Sequence, residues 1–189
     1  MRRVAFLLLA ATGVAAAIQP WTPGPQVVTF LSDADDSDQP YGLYVPKNYD
    51  PARRYPLVLS LHGEGSNHRL NLRRVFGRGN LPGETDAEAT RRFPPLPDVD
   101  FIVATPLARG TMGYQGLAEK DVYDVLADVR KRLSVDEDRI YLTGLSMGGG
   151  GALRLALTRP DVWAAVAAVC PAIPAGLERV APNALNLAV

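Results

Sequence analysis

One cysteine, two histidines and no surplus of charge of either sign set the first limits on this 189-residue chain. The lone Cys170 cannot close an intramolecular disulfide, and it excludes every zinc site built from several thiolates. His62 and His68 are too few for a histidine-rich metal centre, and the scattered acids offer no ligand spacing around them, so no metal is expected. Lys plus Arg and Asp plus Glu both number 20, which excludes the broad basic footprint of a dedicated nucleic-acid binder. A hydrophobic share of 47% against 21% charged residues excludes a disordered chain and suffices for a sizeable core. There is one long apolar run, Val4 to Ala17, and it is short for a membrane span of ~20 residues. It follows Met1-Arg2-Arg3, closes on Ala15-Ala16-Ala17 and is broken by Gln19-Pro20. That is the pattern of a cleaved leader over residues 1–17, and it implies a secreted or periplasmic protein with no membrane contact after cleavage. The remaining residues, 18–189, read as one domain, with no internal repeat.

What is present is an alternation of short apolar runs and amphipathic segments. Val27–Phe30, Tyr41–Val45, Leu57–Leu61, Phe101–Ala104, Ile140–Thr143 and Ala164–Val169 read as strands. Ala118–Leu133 reads as a helix whose Val122, Val125, Leu126, Val129 and Leu133 share one face. Met147–Leu157 reads as a helix through small residues, and Leu185–Val189 as the start of another strand. Asp136–Arg139 reads as a turn. The interval Asn67–Asp98 is Arg-rich and repeatedly broken by Gly and Pro, so it reads as a long loop with a short helix near Asp86–Arg92. Strands alternating with helices predict an α/β fold, a mostly parallel sheet with helices on both faces.

Chemistry concentrates in Gly144-Leu145-Ser146-Met147-Gly148, a G-x-S-x-G segment between a strand end and a helix start. That setting is a nucleophile elbow, a sharp strained turn that lifts the Ser146 hydroxyl clear of the sheet. Gly144 and Gly148 flank it because a Cβ there would collide within the turn. The backbone N–H of Met147, at the positive end of the helix, is the first expected oxyanion donor. His62-Gly63-Glu64-Gly65 follows a buried strand, as an H-G-x-G turn does when it supplies the second donor. The N–H of Gly63 and that of Glu64 both qualify, and His62 reads as the residue that orients this turn. Arg109 and Tyr114 lie after the fourth strand, at the carboxyl edge where ligands bind, and are candidates for the substrate pocket. Cys170 reads as a small buried residue and Trp163 as core.

The segments Tyr41–Pro46, Tyr55–Gly63, Asp136–Gly149 and Arg159–Ala165 resemble the α/β-hydrolases of the secreted esterase and prolyl-oligopeptidase-like group. Polyhydroxybutyrate-depolymerase-like and feruloyl-esterase-like proteins are in that group. The resemblance implies an α/β-hydrolase fold and a serine hydrolase that cleaves carboxylic esters through an acyl-enzyme on Ser146. It implies small-molecule ester or peptide substrates and no cofactor, and leaves the oligomeric state open. A peptidase of the prolyl-oligopeptidase type is the alternative within it, and a non-catalytic binding module the alternative outside it. The family's triad runs Ser, then acid, then His, whereas here both histidines precede Ser146 and only Asp161 and Glu178 are acidic after it. The chain therefore resembles a hydrolase shortened at its C-terminus, lacking its catalytic acid and His. Its last strands and helices would be missing too, leaving Ala164–Val169 an open edge.

Overall fold

The computed structural model describes residues 21–189; the leader read at residues 1–17 lies outside them. Six strands form one sheet in the order β1-β2-β4-β3-β5-β6. β1 (Gly24–Ser32) and β2 (Ser37–Val45) make an antiparallel hairpin, in register from Gly24 opposite Val45 to Ser32 opposite Ser37. The hairpin turn places Asp36 at φ +54°, a left-handed conformation that Asp tolerates better than most residues. β2 runs antiparallel to β4 (Ile102–Pro106), and from there the sheet is parallel through β3 (Tyr55–Leu61), β5 (Val135–Leu145) and β6 (Ala165–Val169). β3, β4 and the core of β5 are near-continuous aliphatic runs because helices cover the sheet on both faces.

Strand alternation divides the side chains between those faces. Leu43, Ala104, Leu59, Leu142 and Val166 stand in adjacent register, all buried under α3 (Leu117–Arg132) and α4 (Met147–Thr158). The expected face of α3 is the one buried, and its basic last turn, Arg130–Arg132, complements the helix dipole. The opposite row, Tyr44, Val103 and Val58, lies beneath α1 (His68–Val75), and Tyr141 of β5 continues its register. Cover on that side fails toward β6, where Leu145 is 45% and Val169 49% exposed. Among the described residues the outer edge of β6 carries a single parallel bridge, Ala165 to Ala188, so the strand expected at 185–189 is present only as that bridge.

Two sequence expectations need correction. The interval after Asn67 is not a bare loop, since it opens with α1, capped by the Asn67 carboxamide, which accepts from the N–H groups of Arg69 and Leu70 at 3.0 Å each. The segment folds because Arg73 turns inward. Its guanidinium donates to the carbonyls of Ala89 (2.6 Å) and Gly79 (3.0 Å) and to Glu84 (2.9 Å), pinning the segment that contains α2 (Asp86–Ala89). The turn at Asp136–Arg139 lies inside β5 as a bulge. Tyr55 pairs with Val135 but Leu57 with Ile140, so four residues are pushed out of the ladder. Among the described residues no helix is long and apolar enough to cross a membrane.

Candidate active site

The sheet order reverses direction at β3: β4 is added on one side of it and β5 on the other. A crevice opens beyond the carboxyl ends of strands at such a switch, and both Gly-containing turns lie there. Ser146 follows β5 directly and precedes the first residue of α4, at φ +55° and ψ −114°. For a non-glycine residue this is a strained conformation, kept only where the surroundings over-determine it. They do: the Ser146 N–H donates to the Val169 carbonyl at 2.9 Å, and its carbonyl accepts from Gly150 (3.0 Å) and Ala172 (2.9 Å). The side chain is left exposed, and among the described residues its hydroxyl makes no hydrogen bond.

The two motif glycines are required by close approach. A Cβ on Gly144 would meet the carbonyl of Gly148, and one on Gly148 the backbone of Leu61 and the His62 carbonyl. α4 has neither a side-chain cap nor an acid in its first turn, so its leading N–H groups, that of Met147 first, stay free for a ligand. The turn after β3 packs against the elbow: a Cβ on Gly63 would lie 3.6 Å from that of Ser146 and 3.2 Å from the Leu145 carbonyl. Among the described residues the N–H groups of Gly63, Glu64 and Met147 have no hydrogen-bond partner. The structure thus brings Ser146, Met147, Gly63 and Glu64 to one place.

His62 is fully buried, with Nδ1 2.8 Å from the Gly63 carbonyl and Nε2 2.9 Å from that of Leu107. Both ring nitrogens therefore face backbone oxygens and neither is turned to Ser146. His68, at the start of α1, does not hydrogen-bond Ser146 either. Its Nδ1 is buried without a partner, and burial, reinforced by Arg69 and His62, lowers its pKa to about 4. This has a measurable consequence. The unfolded chain takes up a proton near pH 6.5 and the folded chain only near 4, so stability falls as pH drops through that window. The expected loss is about 2–3 kcal/mol. Urea titrations at pH 7 and pH 4.5 should show it, and His68→Gln should flatten the slope in that window; an unchanged slope would refute the assignment. The carboxylates of Glu84 and Asp86, held low by Arg73 and by Asn80 respectively, add to the loss at the acid end of this window, so the histidine's share is the difference between the unaltered protein and His68→Gln.

Two pocket candidates are misplaced in the sequence reading. Tyr114 is 3% exposed, its ring set against Gly151 of α4 and its hydroxyl donating to the His62 carbonyl at 2.9 Å. It is a buried strut and not a pocket wall. Arg109 faces away from the crevice. Its guanidinium binds Asp121 (2.7 Å), Ser32 (2.9 Å) and Asp35, tying the β1–β2 turn to the start of α3. Cys170 is exposed, at φ +44°, instead of buried, because the chain leaves the sheet there, while Trp163 is in the core.

The cavity beside Ser146 measures about 400 Å³. Its lining joins Gly63, Glu64 and Ser146 to Asn71, Arg74 and Val75 of α1 and to Leu145 and Val169 of the sheet. The α1 residues escaped the sequence reading because the helix did. The signal was Asn67, an N-cap residue three positions before Leu70. Within the cavity Asn71 is tied to Ser60, and Arg74 to Ser66 and Asp86. Asp161 and Glu178, the only acids after Ser146, are both exposed; Asp161 lies just past the far end of α4. Among the described residues no group of three His, Cys, Asp or Glu is placed to hold a metal ion.

Comparison with known proteins agrees with this geometry. The family model described as "Putative esterase" matches residues 108–176, from the loop after β4 through the elbow to the loop beyond β6. Feruloyl esterase C of Emericella nidulans is 25% identical over 138 residues, 73% of this chain and 48% of that protein. The chain thus spans about half the length of the curated relatives it matches. A solved ferulic acid esterase superposes with a TM-score of 0.57 at 26% identity, covering 78% of this chain and 61% of that one. A thermostable esterase superposes at 0.60 with 24% identity, covering 82% and 43%. With strand order, elbow and matches in agreement, the chain has the α/β-hydrolase fold and is similar to esterases over the part of the fold that carries the elbow.

Proposed function

We propose that this chain carries the nucleophile and the oxyanion donors of a serine hydrolase acting on carboxylic esters. The observation that carries the reading is Ser146 itself, exposed, strained, and flanked by the unpaired N–H groups of Met147 and Gly63. The Ser146 hydroxyl oxygen attacks the ester carbonyl, and the resulting oxyanion is held by those amides. Collapse expels the alcohol and leaves an acyl-Ser146, which water hydrolyses to the free acid. The proton leaving Ser146 goes to a base and returns on the alcohol. Neither His62 nor His68 is that base, and the acid and base of the triad are not among the described residues. The reaction needs no metal or cofactor. Export through a leader at residues 1–17, with the domain beginning at residue 18, is part of the same proposal.

Esters are preferred to peptides because the family model and the feruloyl esterase relative both point there. The cavity supports an aryl-acyl ester, since Val75, Leu145 and Val169 offer an apolar wall within a volume ordinary for small-molecule sites. The test is covalent labelling with a fluorophosphonate, read by intact mass. A single adduct that disappears in Ser146→Ala is expected. Residual turnover without the other triad members is still ~10³–10⁴ above water from the oxyanion site and binding, so weak hydrolysis alone would not identify Ser146, and the adduct is read over hours against Ser146→Ala. Adduct formation that survives Ser146→Ala would overturn the reading. So would an unreactive Ser146 in a protein that binds a glycan polymer equally well with or without the hydroxyl; that result would favour a binding module.

A further inference from the structure

We propose that Tyr114 is a positioning residue that fixes the direction of the Gly63 N–H, and so holds together the two walls of the oxyanion site. The inference rests on the serine-hydrolase reading of Ser146 and assigns a role to a side chain outside the reacting centre. Tyr114 enters the core from the loop between β4 and α3, between Gly113 and Gly116, both at positive φ. Its hydroxyl donates to the His62 carbonyl at 2.9 Å. Across a trans peptide the carbonyl of one residue and the N–H of the next point in opposite directions. Drawing the His62 carbonyl inward to Tyr114 therefore turns the Gly63 N–H outward, where among the described residues it has no partner. If that peptide flipped, Tyr114 would lose its acceptor and Gly63 would present no donor to the elbow.

The ring of the same tyrosine sets the second wall. A Cβ on Gly151 would press into the Tyr114 ring, so the ring lies directly on the backbone of α4, about one turn beyond Ser146. Its edge meets the His62 ring at a centroid distance of 6.0 Å and an angle of 66°. One side chain thus touches the element that carries the Met147 N–H and the residue that precedes the Gly63 N–H. Burial keeps the phenol protonated far above its ordinary range, so the hydroxyl goes on donating at any working pH. Since neither histidine hydrogen-bonds Ser146, the reactivity of this serine reports chiefly on the donors around it.

The test is Tyr114→Phe, which removes the hydroxyl and leaves the ring. Labelling of Ser146 by a fluorophosphonate should slow about tenfold, less than the ~10²–10³ typical of deleting a donor outright. The phosphorus resonance of the phosphonyl-Ser146 adduct should move, because its oxygen loses an ordered N–H. The Gly63 amide resonance of the free protein should move too. Val129→Ala, a cavity in α3 far along the chain from the site, is the control for stability: it should lower the melting temperature without changing the labelling rate or either resonance. If the unaltered protein is labelled and Tyr114→Phe matches it within twofold, with both resonances unmoved, the role of Tyr114 is wrong. Equal slowing by Val129→Ala would also overturn it. Failure of the unaltered protein to be labelled would instead overturn the reading of Ser146.

Discussion

Gly148→Ala is expected to abolish Ser146 labelling and to lower the melting temperature by at least about 6 °C, the shift for about 3 kcal/mol in a chain of this size. The added Cβ would fall on the Leu61 carbonyl and close to that of His62, at the end of β3. Overpacking usually costs about 1–3 kcal/mol because side chains can yield. Here the obstacles are backbone atoms of a central strand, and the helix that must yield also fixes Ser146. Moving α4 outward would strip the bonds that hold Ser146 at φ +55°, above all those to Val169 and Ala172. Gly79→Ala provides the contrast, since its Cβ would meet nothing within 4 Å and its φ is not positive. Differential scanning calorimetry and intact-mass labelling of both variants decide the matter. A stable, labelled Gly148→Ala protein would show that the elbow does not depend on this contact.

Asp121→Ala is expected to destabilise the fold by about 3 kcal/mol, because it leaves a largely buried guanidinium short of its partner. The Asp121 side chain is 1% exposed and that of Arg109 12%. The pair is screened little, so the effect should persist in molar salt, unlike that of an exposed pair such as Arg74 with Asp86. Asp35 still binds Arg109 in the variant, and this keeps the loss at the lower end of the range for broken buried pairs. Arg109 and Ala108 sit at φ +60° and +46°, and the ion pair holds them there. Two residues before Arg109, the Leu107 carbonyl lies against His62 Nε2, so labelling of Ser146 should slow as well. A loss of less than about 1 kcal/mol, or one that vanishes in high salt, would place the pair among ordinary surface contacts.

Legibility in the sequence followed the kind of burial. β3 and β4 stand out as apolar runs because aliphatic side chains bury them, β6 is as apolar although only Val166 of it is buried, and α3 shows its face because its pattern is amphipathic. The elbow is legible for a different reason: the collisions that exclude a side chain at Gly144 and Gly148 leave glycine there as a visible mark. α1 was hidden because its burial depends partly on polar groups. Asn71 is 7% and Arg73 2% exposed, and an arginine that satisfies carbonyls inside a loop is indistinguishable, by composition, from one in water. The same blindness affected Arg109, whose partners Asp35 and Asp121 are distant in sequence. Tyr114 was placed at the right edge of the sheet, but whether a side chain there turns inward or outward depends on the glycine facing it, Gly151. The bulge in β5 could not be read, because a run of four charged residues marks a turn whether the strand ends or continues past it.

The centre of the sheet also constrains the order in which the chain can fold. β1 and β2 are joined by a tight turn and can pair as soon as both exist. β3 cannot, since Leu57 is registered with Ile102 on one side and with Ile140 on the other. Both partners lie far along the chain, and closing such loops costs entropy before any contact repays it. The strand that supports Gly63 and abuts Gly148 is therefore completed late, only once the chain has been made past Ile140. Until then its aliphatic side chains have no cover, so the same topology that gives the finished site a rigid floor makes its assembly slow and dependent on protection from aggregation.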